Sequence, residues 1–117
     1  MRDRKEILKD IILINGDLSL LEKELSPYSW DVEESLIVLK GIDFVTLFKK
    51  SIEDKVTFES LVKWANLIEC RDDIDFETDV LQEYIFEIAN PEINGELTRE
   101  RVNEIILDLE MKIERTE

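Results

Sequence analysis

The chain contains no histidine, one cysteine, three glycines and two prolines. Without histidine, the usual Ser-His and Cys-His pairing of nucleophile and base is absent. Zinc ligand pairs and glycine-rich phosphate loops are absent as well. The lone Cys70 excludes an internal disulfide and suits a reducing compartment. Its surroundings, Arg71 apart, are acids, which disfavour the thiolate that a reactive cysteine needs. A small buried residue is the plainer reading of it. No apolar run approaches the ~20 residues that span a bilayer. The opening MRDRKEILKD has no long apolar stretch of a secretory signal, and the expectation is a cytoplasmic protein. So few glycines and prolines leave few places to break the chain. The dominance of Leu, Ile, Glu, Lys and Asp suits helices joined by short loops.

What the chain has in excess is acid. Asp and Glu number 29 against 15 Lys and Arg, a formal net charge of −14. That field opposes binding to nucleic acid phosphates and to anionic membranes. It attracts a basic protein partner and accelerates the encounter. The same charge serves solubility alone, and it resists casual self-association, so a monomer is expected when free. With 117 residues and 44% apolar content, residues 1–117 read as one folded domain with a real core.

Taken in order, Ile7, Leu8, Ile11, Ile12 and Ile14 give a broad apolar face to a helix over 2–14. Asn15-Gly16-Asp17 breaks it or kinks it. Leu18, Leu21 and Leu25 continue an apolar face to Ser26-Pro27. Tyr28 and Trp30 sit in a loop, with Trp30 covering the core edge or anchoring an interface. Asp31 caps a helix through Leu36, Ile37 and Leu39, and Gly41 interrupts it. Asp43 caps a segment carrying Phe44, Leu47, Phe48 and Ile52. Thr57 opens a central helix with the stripe Leu61, Trp64, Ala65 and Ile68. Trp64 reads as core, with its indole N–H bonded to an acceptor. Thr78 caps a helix to Ala89 with the face Val80, Leu81, Tyr84, Ile85 and Ile88. Thr98 caps the last one, striped by Val102, Ile105, Ile106, Leu109 and Ile113. No segment alternates apolar and polar for long enough to demand a strand. The expected fold is all-α, a single antiparallel bundle of five or six helices.

The polar end of the central helix gathers Glu69, Arg71, Asp72, Asp73, Asp75 and Glu77. Negative charge at a helix C-terminus is locally unfavourable, and a local rule broken without evident gain often marks function. Arg71 and Glu69 read as an internal staple. Asp73, Asp75 and Glu77 read as a solvated or partner-facing patch. The alternation of Asp73, Asp75 and Glu77 is like the start of a calcium loop, but Thr78 stands where that loop needs glycine. Glu69-x-x-Asp72 matches half of the paired magnesium motif of helical nucleotide hydrolases, and no second half is suitably placed. Neither a cofactor nor a metal is expected.

Several stretches resemble a set of small acidic helical proteins of bacterial genomes. They are Trp30-Asp31, then Trp64-Ala65-Asn66-Leu67-Ile68-Glu69-Cys70-Arg71-Asp72-Asp73-Ile74-Asp75-Phe76-Glu77, then Ala89-Asn90-Pro91-Glu92-Ile93 and Leu97-Thr98. The similarity spans most of the chain from Leu18 onward. Such proteins resemble the immunity proteins of contact-dependent growth inhibition and related toxin systems. The resemblance implies a non-enzymatic protein that binds a cognate toxin domain, often a nuclease with a basic active site, and occludes it as a heterodimer. It transfers no contact residues. The contact set expected from the acid cluster is Asp72, Asp73, Asp75 and Glu77. The alternatives are an acidic adaptor and a magnesium-dependent hydrolase using Glu69 and Asp72.

Overall fold

The computed structural model describes residues 3–28, 37–69, 71 and 73–115. Among them the order is α1 (Arg4–Leu13), α2 (Leu18–Leu25), β1 (Ile37–Leu39), α3 (Gly41–Ile52), α4 (Phe58–Glu69), β2 (Ile74–Phe76), α5 (Asp79–Ala89), α6 (Pro91–Asn94) and α7 (Arg99–Arg115). The fold is broadly helical. Trp30, Asp31, Leu36, Cys70 and Asp72 lie outside the described residues.

Local chemistry sets the helix starts. The Asp17 carboxylate accepts from the backbone N–H groups of Ser19 and Leu20 at 2.9 and 3.2 Å. Thr57 Oγ1 accepts from Ser60 N at 3.0 Å, and Thr98 Oγ1 from Arg101 N at 3.1 Å. Each of these oxygens satisfies a donor that the first turn leaves open. Between α1 and α2 the chain does more than kink. Ile14 adopts the left-handed conformation at φ 48° and Gly16 follows at φ 117°. A β-branched residue rarely takes that conformation; half-burial of Ile14 against the core accompanies it here.

The expectation of an all-α bundle needs correction at two places. Ile37–Leu39, read as the end of a helix, and Ile74–Phe76, read within the polar end of the central helix, pair as a two-stranded parallel sheet. The register sets Ile37 against Ile74, Val38 against Asp75 and Leu39 against Phe76. Ile37 N donates to Asp73 O, and Glu77 N to Leu39 O. Parallel strands need a long crossover, and α3 and α4 supply it. In β2 alternation sorts the side chains: Ile74 is buried and Phe76 packs against the core, while Asp75 is exposed.

The second correction concerns helix directions. Arg99 at the start of α7 donates to the carbonyl of Ile52 at the end of α3, at 2.6 Å. Lys49 meets Glu110 at 3.4 Å, so α3 and α7 run antiparallel. But Asn90, just past α5, donates to Glu69 at the end of α4. The C-terminal ends of α4 and α5 therefore lie together, because the chain returns along β2 between them. Asp43 also differs from expectation. It sits at the third position of α3, and its carboxylate accepts from Lys40 N at 3.0 Å.

The buried apolar residues form one cluster. At its centre Phe44 packs edge-on against Trp64 with ring centroids 5.4 Å apart, and Phe48 lies 4.6 Å from Phe44. Such aromatic pairs add about 0.5–1.5 kcal/mol beyond their burial. Trp64 is core as expected. Its Nε1, however, meets no acceptor among the described residues, so the expected indole hydrogen bond is corrected. The aromatic contacts take up the ring faces and edges.

Candidate functional site

The acids after α4 do not form one patch. Asp73 is fully buried, with Arg71 Nε 2.8 Å from Oδ1 and Arg71 Nη2 2.7 Å from Oδ2. Arg4, from the first turn of α1, approaches the same carboxylate at 3.7 Å, and its guanidinium lies over the Tyr28 ring at 5.0 Å. The bidentate fork is the strongest geometry open to an arginine and a carboxylate. Asp73 thus ties α1 and the α2 terminus to the entrance of β2. The expectation that it is solvated or faces a partner is corrected: a carboxylate is buried when it is paired, and Arg71, two residues away, is held by the same turn to pair it.

Glu77 is exposed, yet its Oε1 accepts from Gly41 N at 3.1 Å. Placed at the N-terminus of α3, it satisfies an orphan donor and complements the helix dipole. Asp75 is exposed on the outer face of the ribbon, beside its register partner Val38, and accepts from Phe76 N at 2.9 Å. Asp72 lies outside the described residues. Of the four expected contact residues, one is internal, one is bound to α3 and one faces solvent.

A longer acidic run extends from β2 through α5 to the start of α7. From residue 72 to residue 98 the sequence has nine acids and neither Lys nor Arg. Two of the nine are compensated internally. Asp73 is held as described, and Glu87 takes a bidentate Arg101 at 2.7 Å on both oxygens. Asp75, Glu77, Asp79, Glu83, Glu92 and Glu96 are exposed, and none forms an ion pair with the described residues. On α5 the positions 79, 82, 83 and 86 share one face by helical spacing. Leu81, Ile85 and Ile88 fill the opposite face. The outward face thus presents Asp79, Gln82, Glu83 and Phe86, with Phe86 53% exposed.

A polar seam holds this face in place. Tyr84 OH donates to Asp108 Oδ2, Lys112 Nζ donates to both Asp108 oxygens at 2.7 and 2.8 Å, and Arg101 lies over the Tyr84 ring at 5.8 Å. Burial, reinforced by the hydrogen bond to Asp108, pushes the Tyr84 phenol above its ordinary value. Lys112, then Tyr84, holds the Asp108 carboxyl below its ordinary value. The seam ties α5 to α7 on the side away from the acidic face.

Sequence reasoning missed this surface because it followed the apolar stripe of the helix from Thr78 to Ala89. The signal that finds it is the complement of that stripe, together with the absence of cations from 72 to 98. No family model, no curated protein and no solved structure matches the chain. Among the described residues no three His, Cys, Asp or Glu side chains are grouped to hold a metal ion. No described helix is long and apolar enough to cross a membrane.

Proposed function

We propose that this protein is an immunity-type inhibitor that binds a basic toxin domain, a nuclease, and blocks its active-site cleft with the acidic face of α5. The observation that carries the reading is the run of exposed carboxylates from Asp75 to Glu96 with no cation among them. Exposed acids on neighbouring turns repel one another, and a complementary cationic surface relieves that repulsion. Asp75, Asp79 and Glu83 supply the steering field, standing in for the phosphates of a nuclease substrate. Glu77 contributes its charge while fixed to α3. The protein acts by occlusion, without chemistry of its own, as a cytoplasmic monomer that becomes a heterodimer with its cognate toxin. An interface of the standard size, roughly 1,200–2,000 Å² in total, suffices.

The test begins with affinity capture from the source strain, comparing wild type with an Asp79→Lys/Glu83→Lys variant. A captured cationic domain is then expressed alone and together with this protein. Growth arrest by the domain alone, rescue by wild type and loss of rescue by the variant are expected. Association that slows steeply with added salt accompanies the rescue. A captured domain that is harmless alone, or one whose toxicity this protein does not relieve, refutes the immunity reading.

A further inference from the structure

We propose that Phe86 is the anchor of the α5 surface, a ring that enters an apolar recess on a partner whose surrounding surface is cationic. The inference rests on the docking role given to α5 and names what that face recognises beyond charge. Folding does not account for Phe86. The core side of α5 is already filled by Leu81, Ile85 and Ile88, and Phe86 is left 53% exposed in the last turn of the helix. Its surroundings are acidic at both ends. Glu83 lies one turn before it on the same face. One turn after it, Asn90 Nδ2 donates to the Phe86 carbonyl at 2.7 Å and to Glu69 Oε2 at 3.4 Å. That second bond brings the α4 carboxylate to the far end of the ring's neighbourhood.

An apolar side chain flanked by carboxylates at both ends has the makings of an interface hot spot with a polar rim. The sign of the rim selects the occupant. An anionic membrane, a nucleic acid and a second copy of this chain are all repelled by carboxylates, whereas a cationic protein surface is attracted. Another exposed apolar strip, Leu107 and Met111 on α7, lacks this selectivity. There Lys49 pairs with Glu110 and Lys112 with Asp108, so the charges nearby are of both signs and balanced.

Three synthetic probes of equal charge test the anchor. One is an amphipathic helix with Leu on one face and Arg on the other. The second has the same composition with its Leu residues scattered, and the third is oligo-arginine. Binding is followed by calorimetry and by amide chemical shifts of the ¹⁵N-labelled protein. The amphipathic probe is expected to bind tightest and to shift residues 79–90 together with Glu69. Phe86→Ala is expected to weaken it tenfold or more and to leave oligo-arginine unchanged, with the thermal unfolding curve of the variant unaltered. Equal affinity of wild type and Phe86→Ala for the amphipathic probe overturns the proposal. So do shifts centred on Leu107 and Met111, or self-association of the wild type that Phe86→Ala abolishes. A toxin that binds Phe86→Ala at unchanged affinity removes the anchor and leaves the immunity role standing. Selective binding of the amphipathic probe without any toxin in the strain does the reverse.

Discussion

Removing the Asp73 carboxylate is the sharpest test of how the acid-rich connection is built. Asp73→Ala leaves the Arg71 guanidinium, only 9% exposed, without its bidentate counter-ion. Breaking a buried pair from one side costs about 3–5 kcal/mol, because the surviving charge stays desolvated. A domain of this size has about 5–15 kcal/mol in total, so the variant loses about a fifth or more of its stability. In urea, with a slope of about 1–3 kcal/mol per molar, the unfolding midpoint falls by about 2 M. Asp73→Asn keeps the shape but turns an amide N–H₂ toward a donor, so its loss is of similar size. Arg4→Ala is the control. Its contact with Asp73 is 3.7 Å long, and losing it together with the stacking on Tyr28 costs about 1–2 kcal/mol. Because the carboxylate is buried, 1 M salt reduces the Asp73→Ala loss little. Urea unfolding followed by far-ultraviolet circular dichroism at low and high salt measures all of this. A loss under 1 kcal/mol for Asp73→Ala, or one no larger than that of Arg4→Ala, refutes the account of Asp73 as an internal clasp.

Glu77→Ala removes the acceptor for Gly41 N and costs about 1–2 kcal/mol; Glu77→Gln, which keeps an acceptor oxygen, recovers about half of it, and the same urea titration reads both. The seam between α5 and α7 gives pH dependences of opposite sign. The Asp108 pKa is depressed when folded, so its contribution is complete above the ordinary value of 3.8 and is lost as pH falls below it. Asp108→Asn therefore shows a shallower acid limb of stability than wild type. The Tyr84 pKa is raised when folded, so its contribution is complete below the ordinary value of 10.0 and is lost as pH rises above it. Tyr84→Phe flattens the alkaline limb, and limbs parallel to those of wild type in either variant contradict the assignment.

The longer helices were legible in the sequence from their apolar stripes, although Thr78 precedes α5 without a side-chain cap bond and the short α6 was not foreseen. Thr57 and Thr98 cap where their positions before an apolar stripe say they should, and Trp64 lies on a stripe and is buried. The sheet was not legible, for two physical reasons. Ile37-Val38-Leu39 is too short an apolar run for periodicity to separate strand from helix. Its partner is Ile74–Phe76, thirty-seven residues further on by the register, and Asp75 within it and Glu77 just after it are exposed acids, side chains that strands disfavour. The pairing is decided by tertiary contact: Phe76 and Ile74 cover a core that the neighbouring helices leave open. The burial of Asp73 was hidden for a related reason. Nothing local distinguishes it from Asp75, and only Arg4, sixty-nine positions earlier, and the turn that brings Arg71 back make its burial tolerable.

The acid cluster therefore divides by position within a single turn and strand. Asp73 lies before β2 and points inward to two arginines; Asp75 lies on the outer side of the ribbon; Glu77 leaves the strand and fastens the start of α3. Reversing all these charges together would not report on a binding surface. The change at Asp73 places two arginines against a lysine in the core, and the change at Glu77 repels the N-terminus of α3, so loss of binding would follow from loss of structure. Among the described residues Glu83 has no such attachment, and Asp79 has only the dipole of the first turn of α5, whose loss costs about 0.3–1 kcal/mol. They are exposed on a helix whose other side is secured by Tyr84, Glu87 and their partners on α7. A charge reversal there changes the field that a cationic partner meets and leaves the core untouched, which is why the surface has to be tested on α5 and the clasp at Asp73.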